Sequence, residues 1–414
     1  MQTNLSEHYK NTPLGQEADD ILRSCVHCGF CIATCPTYQL LGDELDSPRG
    51  RIYLIKQMLE GSEVTQATQL HLDRCLTCRA CETTCPSGVR YGRLVDIGRE
   101  IIEEKVTRNI GDKIQRYFLR TFIESPGLFK LALHAGRFFK PLLTQALQQK
   151  IPLKQTPLHR VKNTHSRRML VLSGCAQSVI TPNTNTAAAN VLDKLGIELI
   201  EPQPAQCCGS VSHHLSAPNA AHQHMRNLID QWWPYVEPPF KHEGQTQSIE
   251  AIIITASGCG ATVKEYGDIL KHDNAYAEKA KRISELAKDL CEVIVNEPLG
   301  KLAKNTKPLK VAFHSPCTLQ HAQQLNGVVE KILTKTGFQL TTVTDSHLCC
   351  GSAGTYSITQ PKLSQQLLKN KLDNLEDEQP DVIVTANIGC QLHIQTKAKT
   401  PVMHWIELIN TPLE

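Results

Sequence analysis

Apolar and polar positions along this chain follow two rhythms, helical in the N-terminal part and strand-like beyond residue 168. SPRGRIYLIKQMLE opens on a Ser-Pro turn and sets Ile52, Ile55, Met58 and Leu59 on one helical face. Leu70 and Leu72 continue a second helical stretch, and TAAANVLDKLG and LQHAQQLNGVVEKILTKTG read as helices further on. Between them lie short β-rich runs: Met169 to Leu172, Ile252 to Thr255, Val311 to Phe313 and Val382 to Thr385. Each is followed at once by a Gly, Ser or Pro turn and a cysteine. Strand, turn, helix, strand predicts an α/β layer with a parallel sheet. Cysteines just past strand ends would converge in the crevice where open α/β sheets bind ligands.

This α/β part is written twice. MLVLSGCAQSV, AQCCGSVSHH and AIIITASGCGATV return as LKVAFHSPCTLQ, SHLCCGSAGTY and DVIVTANIGCQLH. Cys175 to Cys207 spans 32 positions, as does Cys317 to Cys349; Cys208 to Cys259 spans 51 and Cys350 to Cys390 spans 40. The longer gap holds WWPYVEPPFKHEGQTQ, which reads as a surface insertion. Gly209 and Gly351, directly after the paired cysteines, read as positions that let the backbone approach a bulky inorganic core. Cys291 has no counterpart in the repeat and reads as a buried structural thiol.

Charge changes this picture little. With 44 basic and 41 acidic side chains the net charge is +3, which gives no reason to expect a nucleic-acid partner. The first twenty residues are polar, unlike a secretory signal, and runs such as AIIIT are too short to cross a bilayer. The expectation is a cytoplasmic chain, with peripheral attachment to the inner membrane as its only membrane contact. In that reducing compartment the 17 cysteines point to metal rather than disulfides.

The sharpest pattern is a pair of cysteine ladders. Cys25, Cys28, Cys31 and Cys35, followed by Pro36, have the spacing C-x2-C-x2-C-x3-C-P, and so do Cys75, Cys78, Cys81 and Cys85 before Pro86. This is the bacterial [4Fe–4S] spacing, in which three close thiolates wrap one cube and the fourth ligates the other. One cluster is therefore assigned to Cys25, Cys28, Cys31 and Cys85, the second to Cys75, Cys78, Cys81 and Cys35. Zinc sites, built from separated C-x2-C pairs, explain neither the third close cysteine nor the proline. Arg49 and Arg51, between the ladders, read as solvated charges. His314 and His347 stand beside candidate ligands and could hydrogen-bond cluster sulfur; for these, and for His213, His214 and His321, ordinary packing is the simpler reading.

The expected organisation is a helical ferredoxin-type two-cluster domain at 1–110 and a helical, basic connector at 111–167. Two cysteine-rich α/β repeats follow at 168–300 and 301–414. In the connector, SPGLFKLALHAGRFFKPLLTQALQQK mixes Phe, Leu, Lys and Arg at helical spacing, which suits an anionic membrane surface or a partner subunit. No dinucleotide-binding or P-loop fingerprint is present, so a hydride acceptor must sit on another polypeptide.

At these motifs the chain resembles the iron–sulfur subunits of flavin-linked dehydrogenases. CVHCGFC, CPTYQLLGDELD, PRGRIYLIKQ, HLDRCLTCR, CETTCPSGVRY, TASGCG, HLCCGSAGTY and VTANIGCQ resemble, in particular, the iron–sulfur subunits of bacterial glycolate oxidases. The resemblance implies a non-catalytic electron-transfer subunit with two [4Fe–4S] clusters. Its partners would be FAD-binding subunits that oxidise glycolate to glyoxylate, with a quinone or other acceptor downstream. The same role in a D-lactate or glycerol-3-phosphate dehydrogenase is the alternative, and heterodisulfide-reductase-like thiol chemistry a second. Heterodisulfide-reductase-like repeats end in C-x2-C, whereas Ala256 and Asn387 replace the extra cysteine here. Each repeat then offers four thiols, Cys175, Cys207, Cys208 and Cys259, and Cys317, Cys349, Cys350 and Cys390, as candidate ligands of an additional iron–sulfur centre.

Overall fold

The computed structural model describes residues 1–142, 152, 154–237, 240–242, 245–302 and 309–410. Its N-terminal part is helical. Helices Pro13–Ser24, Pro48–Leu59 and Gln66–Asp73 each start on a hydroxyl cap, Thr12, Ser47 and Thr65, that accepts a first-turn amide. With helix Tyr91–Lys105 they bury Leu22, Ile52, Ile55, Met58, Leu59, Leu72, Leu94 and Ile102 in one core. Helices Pro48–Leu59 and Tyr91–Lys105 touch at Gly98, where a Cβ would stand 2.7 Å from Ile55 Cγ1. Leu72 enters the core as its periodicity predicts, while Leu70 faces outward.

A helical hairpin, Ile110–Ile123 and Pro126–Phe138, leads to the α/β part. Residues 143–150 of the predicted helical stretch lie outside the described residues. The basic segment from 154 onward lies along helix Asn183–Lys194, whose Asn183 and Asn190 side chains accept from the Leu158 and Val161 amides at 3.0 and 2.9 Å.

The repeats form two parallel four-stranded sheets of the same design. Strands β1 (Arg167–Val171), β2 (Ile197–Ile200), β5 (Ile252–Ile254) and β6 (Ala287–Asp289) lie in the order β2-β1-β5-β6. Strands β7 (Lys310–His314), β8 (Gln339–Leu340), β9 (Val382–Thr385) and β10 (Val402–His404) lie in the equivalent order, β8-β7-β9-β10. A separate hairpin joins β3 (Phe240–His242) to β4 (Gln245–Gln247). The inner strands β1, β5, β7 and β9 are buried on both faces over most of their length, which is why they read as continuous apolar runs, whereas the edge strand β2 alternates.

One face of each sheet contributes to a common core in which Met169, Val171 and Ile253 join Val311, Phe313, Val384 and Trp405. Helix Asn183–Lys194 of the first copy packs on helix Trp405–Asn410 of the second. At roughly 1.5–3 kcal/mol per buried large aliphatic or aromatic side chain, separating the copies would be costly, so they fold as a pair. The expected surface insertion is corrected in part. Trp232 to Val236 complete helix Pro218–Val236, and Trp232 is fully buried under the first sheet; of the rest, Phe240–His242 and Gln245–Gln247 form the separate hairpin.

Candidate metal centre

Both ladders fold by the same local device. The second and fourth residues after the first cysteine are left-handed: His27 and Gly29 in one ladder, Thr77 and Arg79 in the other, with φ of 59, 87, 53 and 60°. This curls the chain around a centre before a short helix, Phe30–Ala33 or Ala80–Thr84, carries it away. Cys35 and Cys85 follow with extended backbone, and the next residue, Pro36 or Pro86, has no N–H to continue the turn.

Two adjoining recesses result. The first is lined by Cys25, Cys28, Cys31 and, from the other ladder, Cys85. The second is lined by Cys75, Cys78 and Cys81 and, from the first ladder, Cys35. Cys81, Pro48 and Tyr91 border both. Each recess thus brings three thiols of one ladder beside the last cysteine of the other. Burial, with the neighbouring Cys25, Cys85 and Cys28 thiols, pushes Cys31 up to about 11. Burial and neighbouring thiols likewise push up Cys78 and Cys81. Thiols this crowded shed their protons only against a strong positive charge, which metal ions supply.

The residues fit an iron–sulfur core better than a single ion. One tetrahedral zinc ion with Zn–S near 2.3 Å would draw its thiolates to about 3.8 Å from one another. Among the described residues, no three ladder sulfurs lie within 4.8 Å of each other. Sulfurs splayed around a recess leave room for a multi-atom core.

The second recess has an electrostatic lining that the motifs do not show. Burial opposes ionisation of Cys75, but the nearby Arg51 and Arg99 guanidiniums outweigh it and hold the thiol below its ordinary value. The Tyr91 hydroxyl and Thr77 amide add hydrogen bonds to Cys75 Sγ at 3.5 and 3.4 Å. Arg99 donates to the carbonyls of Leu72 and Cys75 and to the Thr77 hydroxyl. Arg51 corrects the expectation of a solvated charge: it is buried, and donates to His71 O at 2.7 Å and to Thr37 Oγ1 at 3.1 Å. Thr37 Oγ1 in turn lies 3.3 Å from Cys35 Sγ. Arg49 does remain half-exposed, paired with Glu44 at 2.7 Å. Arg51 sits one helical turn from buried Ile55, the faint sign that its face turns inward; Arg99 and Tyr91 carry no signal in the sequence.

The repeat thiols gather elsewhere. A largely apolar cavity of about 320 Å³ between the repeats and the ladder domain is lined by Cys175, Cys207, Cys208, Cys259, Cys317, Cys349 and Cys390. Cys350 lies behind this wall, buried against the second sheet's outer core. Cys75 and Leu76 reach the same cavity, and Cys78 packs against Cys317 and Cys349, so the second recess abuts the second repeat. In both copies the Cys-Cys-Gly turn closes with a glycine amide donating to the first cysteine of the pair, at 3.3 Å for Gly209 and 3.4 Å for Gly351. The reason for glycine differs from the expectation. Both are left-handed, with φ of +80 and +88°, and an added Cβ would strike the Ala221 or Ser364 carbonyl at 2.8 or 2.6 Å. Glycine is needed there for helix packing. Cys291 lies in the core shared by the repeats, as a structural thiol should.

Ala256 and Asn387 occupy the positions of the missing thiols, and Asn387 Nδ2 donates to Cys390 Sγ at 3.4 Å. Among the histidines, His321 joins the domains, with Nδ1 3.0 Å from Thr83 Oγ1 and Nε2 3.0 Å from His347 O. His213 lies 3.2 Å from Asp96 of the ladder domain. His314 is buried with neither ring nitrogen hydrogen-bonded, and burial holds it neutral.

A twin-ladder helical domain on a duplicated thiol-rich α/β platform defines an iron–sulfur protein of the electron-transfer class. The 4Fe-4S dicluster domain family matches residues 21–89, and the cysteine-rich domain family matches 169–264 and 311–395. Over the full length of both chains the sequence is 55% identical to the glycolate oxidase iron-sulfur subunit of Escherichia coli. It is 28% identical to the probable glycolate oxidase iron-sulfur subunit of Bacillus subtilis, covering 90% of this chain and 88% of that one. Lactate utilization protein A of Bacillus licheniformis is 26% identical, over 57% of this chain and 96% of that relative. A hypothetical protein from Helicobacter pylori shares the fold at a TM-score of 0.53 and 11% identity, over 97% of this chain and 72% of its own. The chain belongs to the family of glycolate oxidase iron–sulfur subunits.

Proposed function

We propose that this chain is the electron-transfer subunit of a flavin-dependent glycolate oxidase complex, carrying electrons released when glycolate becomes glyoxylate. The crossed grouping of eight ladder thiols in two adjoining recesses carries the reading. Cys25, Cys28, Cys31 and Cys85 would hold one [4Fe–4S] cluster; Cys75, Cys78, Cys81 and Cys35 would hold the other. Bound there, the clusters supply one-electron transfer. The chain does the rest: it holds the recesses side by side, places Arg51 and Arg99 beside the second, and buries both in a folded scaffold. Oxidising an alcohol takes two electrons at once, so the hydride acceptor is assigned to FAD on partner subunits. The choice among glycolate, D-lactate and glycerol phosphate rests with that flavoprotein. Heterodisulfide-type chemistry is disfavoured by Ala256 and Asn387. The repeat thiols are assigned a further iron–sulfur centre.

The helical hairpin favours a membrane quinone as the acceptor. Ile110, Leu131 and Phe138 are 76, 68 and 79% exposed, and Ile114, Tyr117, Phe118, Leu128 and Phe139 are exposed beside them. Residues 110–140 hold five of the chain's nine phenylalanines. They carry six basic side chains against Asp112 and Glu124, a net +4 compared with +3 for the whole chain. Aromatic and basic residues together suit an anionic interface. No helix among the described residues is long and apolar enough to cross a membrane.

One experiment tests both halves. The complex, prepared anaerobically with anionic liposomes containing a short-chain quinone, should float with the lipid. Adding glycolate should bring up the EPR signals of reduced clusters and then reduce the quinone. Clusters that stay oxidised with glycolate but are reduced by dithionite would refute the electron-transfer assignment, and failure to float would refute the membrane half alone.

A further inference from the structure

The two repeats differ at one position that neither the ladders nor the Cys-Cys-Gly motif covers. Three residues before the first cysteine of each copy, the first repeat has Leu172 and the second has His314. Leu172 packs into the outer core of its sheet. His314 occupies the equivalent strand end, is only 1% exposed, and has no hydrogen-bond partner at Nδ1 or Nε2. Folded proteins seldom leave both nitrogens of a buried imidazole unsatisfied, because the desolvation cost goes unreturned. A ring nitrogen of His314 and the sulfurs of Cys350 and Cys390 all lie within 4.8 Å of one another, and all three residues are buried.

We propose that His314, Cys350 and Cys390 form a metal-binding site, with His314 as a nitrogen ligand, in the second repeat alone. The ion is a thiophilic transition metal, iron or zinc, for which two thiolates and an imidazole are a common donor set. This deepens the assignment of metal to the repeat thiols and rests on it. The spacing agrees: metal–sulfur bonds near 2.3 Å and metal–nitrogen bonds near 2.1 Å put three ligand atoms about 3.5 Å apart, a small contraction from the present arrangement. The site is also braced. The Asn387 amide donates to Cys390 Sγ at 3.4 Å, a hydrogen bond of the kind that orients a metal-bound thiolate. Cys390 lines the thiol-rich cavity while Cys350 and His314 stand behind it, so remaining coordination positions are open to sulfide or to a neighbouring thiol such as Cys349. With leucine in place of histidine, the first repeat cannot build the same site. The duplicated platform is therefore asymmetric in metal chemistry.

The test uses the full chain, isolated anaerobically with ¹⁵N-labelled histidine, and its His314→Leu variant, which copies the residue the first repeat tolerates. The wild type should hold iron or zinc beyond the eight irons of two [4Fe–4S] clusters. His314→Leu should weaken retention of that extra metal against a chelator by about 10–100-fold or more while leaving the eight irons in place. Where the metal is iron, pulsed EPR of the paramagnetic state should show a histidine ¹⁵N coupling that the variant lacks. Where it is zinc, replacement by Co(II) should give a ligand-field spectrum that changes in the variant. The variant's Tm should fall relative to the metal-loaded wild type and equal or exceed that of the chelator-stripped wild type. Equal metal retention in the two chains, or an extra metal without a histidine signature, would overturn the proposal and leave the electron-transfer assignment standing. Loss of the eight irons from the wild type itself would instead refute that assignment.

Discussion

The two ladders are spelled alike and folded alike, yet their surroundings are opposite. Around the first, Cys28 is exposed, Val26 and Phe30 stand in solvent, and the nearest guanidinium, on Arg49, is half-exposed. Around the second, Arg51 and Arg99 are buried, Tyr91 donates to Cys75, and the second repeat closes over Cys78. Ligand spacing determines that a cluster is held; burial and fixed charge tune how readily it accepts an electron. Arg51 is paired with the buried Asp46 carboxylate at 3.3 Å, so it is chiefly the Arg99 guanidinium, bonded to carbonyls and the Thr77 hydroxyl, that favours the more negative, reduced state and should give the inner recess the higher potential. The outer recess, with exposed apolar side chains at its rim, suits the approach of a partner.

The most drastic way to break this comparison is to test the crossing itself. Cys35→Ser should halve the ladder iron, from eight atoms to about four per chain, and the surviving EPR signal should be that of the outer cluster. Adding Cys75→Ser should cost nothing more, because both residues serve the inner recess. Combining Cys35→Ser with Cys25→Ser should remove nearly all ladder iron, since those two serve different recesses. If ligands were kept within each ladder the two double variants would change places.

A smaller effect sharpens the contrast in potential. Arg99→Gln should lower the midpoint potential of the inner cluster by about 60 mV, the one-electron equivalent of about 1.4 kcal/mol, without moving the outer one. Redox titration followed by EPR resolves the two, and equal movement of both would erase the distinction drawn from Arg51 and Arg99.

The smallest effect concerns how each ladder is clamped to the repeats. Arg79, within the second ladder, pairs with Glu265 at 2.8 Å. Glu17, on the helix leading into the first, lies 2.9 Å from both Lys271 and Arg93. Burial alone would raise the Glu17 pKa, but its bonds to Arg93 and Lys271 bring it down from 4.5 to about 2. A carboxylate depressed on folding stabilises the fold above its unfolded pKa and loses that contribution as pH falls through the folded value. Glu17→Gln should therefore cost on the order of 1–2 kcal/mol at pH 7, and progressively less below about pH 4.5. Thermal unfolding of the two chains between pH 7 and pH 3 measures it; a constant gap would rule out the ionic clamp.

Much of this architecture is legible in the order of the amino acids alone. The repeated C-x2-C-x2-C-x3-C-P points to the ligand sets because metal coordination constrains neighbours a few residues apart. Apolar runs ending in Gly/Ser-Cys point to the parallel sheets, since a strand buried on both faces has no polar side to display. The insertion is harder to read: Pro234 suggests a break, although the helix carries it to Val236 and buries Trp232. Gly209 and Gly351 stand out as necessary, but the neighbour that demands them is a helix carbonyl rather than an inorganic core.

What the sequence determined by itself was local: eight thiols at fixed spacing, two copies of an α/β unit, and a basic, aromatic segment between them. The burial of Arg51 and Arg99 beside Cys75, the shared core of the repeats and the meeting of His314 with Cys350 and Cys390 were decided only by the tertiary structure. Each joins residues 20 or more positions apart, or turns a charge inward against its usual preference. Such pairings depend on which faces the rest of the chain leaves to be covered, and no local pattern encodes that.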